Sequence, residues 1–423
     1  MNLLKKVKNY WKILGPGLTT GAAGDDPSGI ATYSQVGAQR GFGLIWLSVF
    51  SLPFMGVVQE MCGRIGVVSG VGLATNIKRH YSKSILYICA FLLVFANVFN
   101  IGADLGAMAK ASQLLIPQTP FYLLVIFFAI FSLLLQIFIP YKTYSKYLKY
   151  LALVLLAYVF SAFLIKIDWW RVLEYSIIPI FTSTKDEIIL ICAVLGTTIS
   201  PYLFFWQTSQ EVEDQIMKGD DTEEKRHEHT TNQDIKDMRV DIWSGAFISN
   251  IVMFFIIAVC SATLYQNGIT NITSAEQAAL ALRPFAGDFT YFLFTIGILG
   301  TGLLAIPVLA GSASYAVSES FGFNEGLYQK WNGAKVFYGI IVLAMVLGIV
   351  LNFIGLDPIK TLIYSAVING IISPVMIFFI VRISGNTEVM GKYKNKRFTN
   401  IFGYFILIIM SLVSIFTIYF LLV

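Results

Sequence analysis

Residues 25–29 read Asp-Asp-Pro-Ser-Gly, two adjacent carboxylates and a proline set inside a long apolar stretch. A charge near the middle of a bilayer is costly and marks an ion or substrate pathway. Pro27 removes a backbone donor and, with Gly29, breaks the helix, which leaves carbonyl oxygens free to meet a ligand. The chemistry on offer is coordination of a cation by Asp25, Asp26 and main-chain oxygen. A second interruption, Gly196-Thr197-Thr198-Ile199-Ser200-Pro201-Tyr202, falls in a later apolar stretch. One proline break is common in membrane helices, where neighbours re-satisfy the backbone. Two breaks at corresponding places in two halves of a chain point instead to a transporter's binding site.

The elements that must hold these residues follow from composition. The chain has 423 residues, 56% hydrophobic and 15% aromatic, with only 13% charged and a mean hydropathy of +0.70. A soluble domain carries about 25% charged residues, so the reading is an all-α polytopic membrane protein. Apolar windows of about twenty residues predict about eleven spans: 13–39, 43–67, 84–112, 120–139, 147–167, 187–214, 241–265, 288–318, 335–354, 358–381 and 400–422. The two broken spans each open a group of five. An odd number per group makes the second group inverted relative to the first. The expected layout is a single transporter domain over 1–423, with repeat one at about 13–167, repeat two at about 187–381 and an extra helix at about 400–422.

Most of the 30 Lys and Arg residues fall on one side of these spans, among them Lys5, Lys6, Lys142, Lys146, Lys225, Arg226, Lys392 and Arg397. The positive-inside rule then places the N-terminus in the cytoplasm and the C-terminus outside. The N-terminus is basic but lacks the cleavage site of a signal peptide. The net charge of +5 is read as topology rather than as nucleic-acid binding. Cys62, Cys89, Cys192 and Cys260 lack metal-type spacing and are expected to be inert. His80, His227 and His229 all fall in connections, so no imidazole is expected within a span. No serine-elbow or zinc-protease pattern occurs, which argues against an enzyme. The mixed charge of 215–240 suits a solvated cytoplasmic connection.

Together the two breaks and their flanks resemble the Nramp family of divalent-metal transporters, whose fold is of the LeuT type. That family carries Asp-Pro-Gly-Asn in span one and Ala-x-x-Met-Pro-His in span six. Here the corresponding residues are Asp26-Pro27-Ser28-Gly29 and Thr197-Thr198-Ile199-Ser200-Pro201-Tyr202, and Leu14-Gly15-Pro16, Ile30-Ala31-Thr32 and Gly37-Ala38 extend the likeness. The resemblance implies that Asp26 binds metal. It also places Gly29 at the family's metal-binding asparagine, Ser200 at the methionine and Tyr202 at the histidine. In span three Asp104 matches an aspartate, while Ala107 replaces a glutamate implicated in proton movement. Gln207 replaces a second span-six histidine, and Ala366 stands at a span-ten glutamine.

The metal site is accordingly expected at Asp25, Asp26, Gly29, Thr197, Ser200 and Tyr202, with Asp104, Gln207, Glu211 and Asn369 along the pathway. Thioether sulfur favours transition metals; without it only oxygen ligands remain, and magnesium prefers oxygen and keeps several waters. The pattern is most similar to the Nramp-related magnesium transporters. That likeness implies uptake of partly hydrated Mg2+, and of Mn2+ as a further substrate, across the plasma membrane of a bacterium, without obligatory proton coupling. Mg2+ is cargo here; no cofactor, nucleic acid or obligate protein partner is expected, and the lipid bilayer is the surroundings. The alternatives are a proton-coupled Mn2+/Fe2+ transporter of ordinary Nramp type, an aluminium carrier, an organic-cation carrier and a passive cation channel. A structural role for Asp104 would need a pair with Lys110 or a bond to Asn100. Glu60 and Arg64, four apart, read as a structural pair.

Overall fold

The computed structural model describes residues 10–11, 13–139, 143, 156–283 and 287–423, in which helices are joined by turns and no strand occurs. The first expected span is two helices, α1 (Pro16–Ala23) and α2 (Pro27–Arg40). It is followed by α3 (Trp46–Ser69), the short α4 (Leu73–His80), α5 (Lys83–Gln113) and α6 (Phe121–Phe138). The expected span 147–167 lies outside the described residues up to 155, and its remainder carries α7 (Leu156–Leu164). Then come α8 (Trp169–Ile177) and the second broken span, α9 (Lys185–Thr198) and α10 (Pro201–Met217). The chain closes with α11 (Glu223–His229), α12 (Asn232–Thr263), α13 (Thr290–Phe321), α14 (Lys335–Leu351), α15 (Pro358–Ser384) and α16 (Arg397–Leu422).

Every expected span thus has a helix beneath it, although only seven helical stretches among the described residues are long and apolar enough to cross a membrane, α9 and α10 counted together as one, or up to eight if the bent pair Pro27–Leu44 and Trp46–Ser69 is one span. The shortfall has a physical origin. Breaking the first span leaves pieces of 8 and 14 residues, and α14 has only 17 residues. At about 1.5 Å per residue these fall short of a bilayer core of about 30 Å. The chain turns by 107° between α2 and α3.

Burial separates the helices into two populations. The hydropathic windows of the α9–α10 span and of α12 are 94% and 72% enclosed, whereas those of α6 and α16 are only 33% and 22% enclosed. The broken helices therefore form the inner bundle, and α6 and α16 face lipid. Phe127, Phe138, Phe398 and Leu422 cover their outer faces. The inner contacts are close. A Cβ on Gly21 would lie 2.4 Å from the Gly245 carbonyl carbon, so α1 and α12 meet backbone to backbone. Small residues permit that approach where there is no hydrophobic gain in joining helices within lipid.

The connection 215–240 is largely exposed, as its mixed charge suggests, with Arg226 and Thr230 among its few buried residues. Residues 223–229 fold into α11, which docks under the end of α3. Arg226 Nε donates to the Gly70 carbonyl at 2.8 Å, and the Thr230 hydroxyl donates to Val67 at 2.8 Å. A helix end leaves carbonyls without partners, and this segment supplies them. The Glu60–Arg64 pair is present at 3.9 Å, but Arg239 at 2.8 Å and the Trp243 indole at 2.9 Å hold Glu60 more closely.

Candidate metal centre

The two breaks are built alike. In each, the second piece starts with proline at its first position, where the missing N–H costs nothing. Asp26 precedes Pro27 as N-cap, its side chain accepting the Gly29 N–H at 2.6 Å. Ser200 precedes Pro201, with Ile199 leaving the helical path at ψ 57°. The pieces interlock: the Thr197 hydroxyl donates to the Gly24 carbonyl at 3.0 Å, and the Tyr202 hydroxyl donates to Ala23 at 2.8 Å. Tyr33 on α2 reaches the Thr197 hydroxyl at 3.0 Å. The carbonyls freed by breaking α1 are thereby held by side chains of the other broken span.

Three carboxylates gather beside this junction. Asp25 and Asp26 are each 1% exposed and Asp104 is fully buried. Asp26 Oδ1 bonds Gly29, while Oδ2 accepts from Asn100 at 2.8 Å, and Asn100 in turn accepts from the Ser365 hydroxyl. Asp25 Oδ1 accepts from Ser249 at 3.0 Å, and its Oδ2 has no partner. The Asp104 carboxylate faces the Ser28 main-chain N–H. Neither structural role foreseen for Asp104 is filled, since Asn100 turns to Asp26 and Lys110 lies over the Phe121 ring at 5.2 Å. No ion pair among the described residues involves any of the three. An unpaired buried carboxylate costs several kcal/mol. Three of them need a cation or protons from outside.

The other expected residues divide into two sets. Gly29, Thr197 and Tyr202 sit at the junction. Gly29 has no room for a side chain, because a Cβ there would stand 2.9 Å from Thr197 Oγ1 and 3.0 Å from the Gly24 carbonyl. The asparagine that the family pattern puts here is sterically excluded in this closed arrangement. Ser200 is buried, with its hydroxyl donated back to the Gly196 and Thr197 carbonyls. Gln207 and Glu211 lie further along α10, bonded to each other at 2.8 Å with Gln207 Oε1 free of partners. Glu211 also lines a cavity of about 180 Å3 with Asp214 and Asp241. Asn369 is buried on α15 with its side-chain oxygen unpartnered. Ala107 borders a small apolar cavity with Pro27 and Leu362.

Several residues of the site carried no recognisable sequence signal. Ser249, Asn100 and Ser365 are single polar residues in apolar spans, a pattern equally suited to helix–helix hydrogen bonds. Asp241 is the clearest omission. Its carboxylate accepts the Gly15, Gly17 and Leu18 N–H groups at 2.9, 2.6 and 3.0 Å. It caps the start of α1 from a different helix, and its place at the edge of a span concealed that role.

Comparison with known proteins agrees with this architecture. The chain is 26% identical over 408 residues to the "Divalent metal cation transporter MntH" of Caldanaerobacter subterraneus subsp. tengcongensis, covering 94% of this chain and 90% of that one. A protein of the same name from Clostridium acetobutylicum is 24% identical over 433 residues, covering 99% and 93%. Among solved structures, a manganese transporter of Eremococcus coleocola in complex with an aromatic bis-isothiourea compound superposes with a TM-score of 0.75 at 18% identity, covering 96% of this chain and 86% of that one. The nucleobase-cation-symport transporter Mhp1 in a closed conformation gives 0.61 at 12% identity, covering 96% and 91%. The fold is therefore the LeuT-type five-plus-five inverted repeat with discontinuous first and sixth spans. The model "Natural resistance-associated macrophage protein-like" matches residues 17–420, and this chain belongs to the Nramp family.

Proposed function

We propose that this protein carries a divalent cation across the membrane by alternating access, the ion being held at the junction of the two broken spans. One observation carries the reading: Asp25, Asp26 and Asp104 are buried close enough to act on one another, and among the described residues no ion pair reaches any of them. Asp26 is the central ligand, held in place by Gly29 and Asn100. Asp25 and Asp104 supply the remaining charge, and Thr197 and Tyr202 lock the half-helices around them. Buried from both sides, the site corresponds to an occluded step. Opening requires α1 or α10 to part from its neighbours.

Two identities of cargo are supported by different observations. The relatives are named as divalent-metal and manganese transporters, and this favours Mn2+. The carboxylate arithmetic is the same for either ion: a dication neutralises two of three carboxylates and leaves one able to take a proton. The donor set favours Mg2+: the junction presents oxygen only, with Ser200 and Tyr202 at the places of the family's sulfur and imidazole. On this second reading the ion travels partly hydrated and without obligatory proton coupling. The proposed orientation has the N-terminus in the cytoplasm of a bacterial cell and the C-terminus outside, with repeats at about 13–167 and 187–381.

Uptake into proteoliposomes with an internal pH dye separates the readings. Mg2+ entry without stoichiometric acidification supports the oxygen-site reading. Mn2+ entry with acidification and no Mg2+ entry establishes the ordinary Nramp reading. Asp26→Ala abolishes uptake in either case, and unchanged uptake removes Asp26 from the site.

A further inference from the structure

A second cavity, of about 160 Å3, lies at the end of the bundle that the basic residues mark as cytoplasmic, enclosed by α10, α13, the approach to α4 and the connection after α13. Glu213, Glu319 and Glu325 line it, together with Tyr315 and Arg226. Glu213 is 2% exposed. Its Oε1 accepts the Leu327 N–H at 2.5 Å and the Tyr315 hydroxyl, while its Oε2 is buried without a partner. Glu325 Oε2 is likewise buried and unpartnered. Glu319 is fixed by the Thr75 N–H at 2.8 Å and the Ser209 hydroxyl at 3.1 Å.

The cations nearby bond main-chain carbonyls, and Lys78 acts on Glu325 through its charge without forming an ion pair. Arg226 spends its guanidinium on the Gly70, Asp220 and Asp221 carbonyls at 2.8, 3.1 and 3.1 Å. Lys78 donates to the Glu319 main-chain oxygen at 3.3 Å. No ion pair among the described residues reaches Glu213, Glu319 or Glu325. Burial, then Glu319 and Glu213, hold the Glu325 carboxyl well above the usual carboxylate range.

The geometry also restricts the ligand. Among the described residues no three acidic, histidine or cysteine side chains converge closely enough to ligate one bare ion. An ion that keeps its waters and is gripped by one or two carboxylates meets that condition, as magnesium does. At about 30 Å3 per water the cavity has room for roughly five. We propose that this cavity is a cytoplasmic site for a hydrated divalent cation, separate from the Asp25–Asp26 junction and gripped by Glu213 Oε2 and Glu325 Oε2, with Glu319 adding charge. Such an ion ties α10, the second half of a broken span, to the connection after α13. Its occupancy holds that half-helix in its closed position, so a high cytoplasmic divalent-ion level slows further uptake.

The test uses the full chain in detergent with Asp26→Ala, which removes the central ligand of the junction. Isothermal titration with Mg2+ is expected to retain one saturable binding event. Adding Glu325→Gln or Glu213→Gln weakens that event at least tenfold. Absence of Mg2+ binding to Asp26→Ala overturns the proposal, as does binding of unchanged affinity in either double variant that folds. Glu325→Gln lies outside the helices, so it decides the matter should Glu213→Gln fail to fold. Because uptake by the wild-type chain is scored separately, failure here leaves the transport reading standing.

Discussion

Asp26 is held by a neighbour that is itself held. Asn100 donates to its Oδ2, and Ser365 donates to Asn100, so a helix cap, an amide and a hydroxyl fix one carboxylate. Hydrogen bonds to charged groups contribute about 1.5–3 kcal/mol, and partners behind a metal ligand typically change affinity about 10–100-fold. Asn100→Ala is expected to raise the concentration of ion giving half-maximal uptake by about tenfold or more, with protein yield unchanged; an unaltered value would make Asn100 a packing residue only. Ser200 poses a different question, because its hydroxyl is turned to its own helix. Ser200→Cys keeps the volume and supplies sulfur, a donor that favours soft metals. Inhibition of uptake by Cd2+ should strengthen about tenfold, a change of ~1.4 kcal/mol. Cd2+ inhibition equal to that of wild type would place Ser200 outside the ligand shell.

At the scale of elements, α1 is the mobile candidate. It is 8 residues long, packs backbone to backbone on α12 and is capped by Asp241. A carboxylate at a helix N-terminus satisfies orphan N–H groups and meets the positive end of the dipole. Together these contribute about 1–2 kcal/mol. Asp241→Asn keeps the shape and removes the charge, so the N-terminal end of α1 is expected to part from α12 more often. A cysteine placed at Leu18 should then be labelled by a water-soluble thiol reagent several-fold faster than in the Asp241 background. Equal labelling rates would show that Asp241 is not the latch. The α10 half is restrained at both ends, by Tyr202 on the Ala23 carbonyl and by Glu213 on the Leu327 N–H and the Tyr315 hydroxyl.

The molecule as a whole separates a lipid-facing shell, with α6 and α16 in it, from an inner bundle that carries nearly all the buried charge. The connections on the side rich in basic residues add stability of a modest kind. Arg79 and Glu223 meet at 2.9 Å on the second of two bonds, but their side chains are 47% and 43% exposed. The hydrogen bond from Arg79 holds the Glu223 carboxyl below its usual range. A depressed carboxylate contributes stability above its unfolded value of about 4.3, and loses it as pH falls through the lower folded value. Solvent screening keeps the contribution below about 1 kcal/mol. Glu223→Gln should therefore lower the melting temperature slightly at neutral pH, and the gap should close on acidification to the point where both chains carry a neutral side chain. A gap that widens in acid would contradict the pairing.

The sequence by itself determined the helical membrane class, the positions of the spans, the two breaks and the carboxylates at the first. These are local properties: hydropathy over about twenty residues, and proline's missing donor, need no partner to be read. Gly29 was legible as part of the break, yet its true constraint, the nearness of Thr197 and Gly24, belongs to packing between α2 and α9. Asp241, Asn100 and Ser249 were beyond reach for the same reason, since each acts on a residue at least 70 positions away. The docking of α11 was hidden in the same way: the segment stays largely exposed as its charge suggests, while Arg226 and Thr230 turn inward to the carbonyls at the end of α3. Tertiary structure alone decided that Asp104 pairs with neither Lys110 nor Asn100. Only when the bundle closes does a carboxylate that could have paired with Lys110 or Asn100 stand beside two others with no cation among the side chains to meet them.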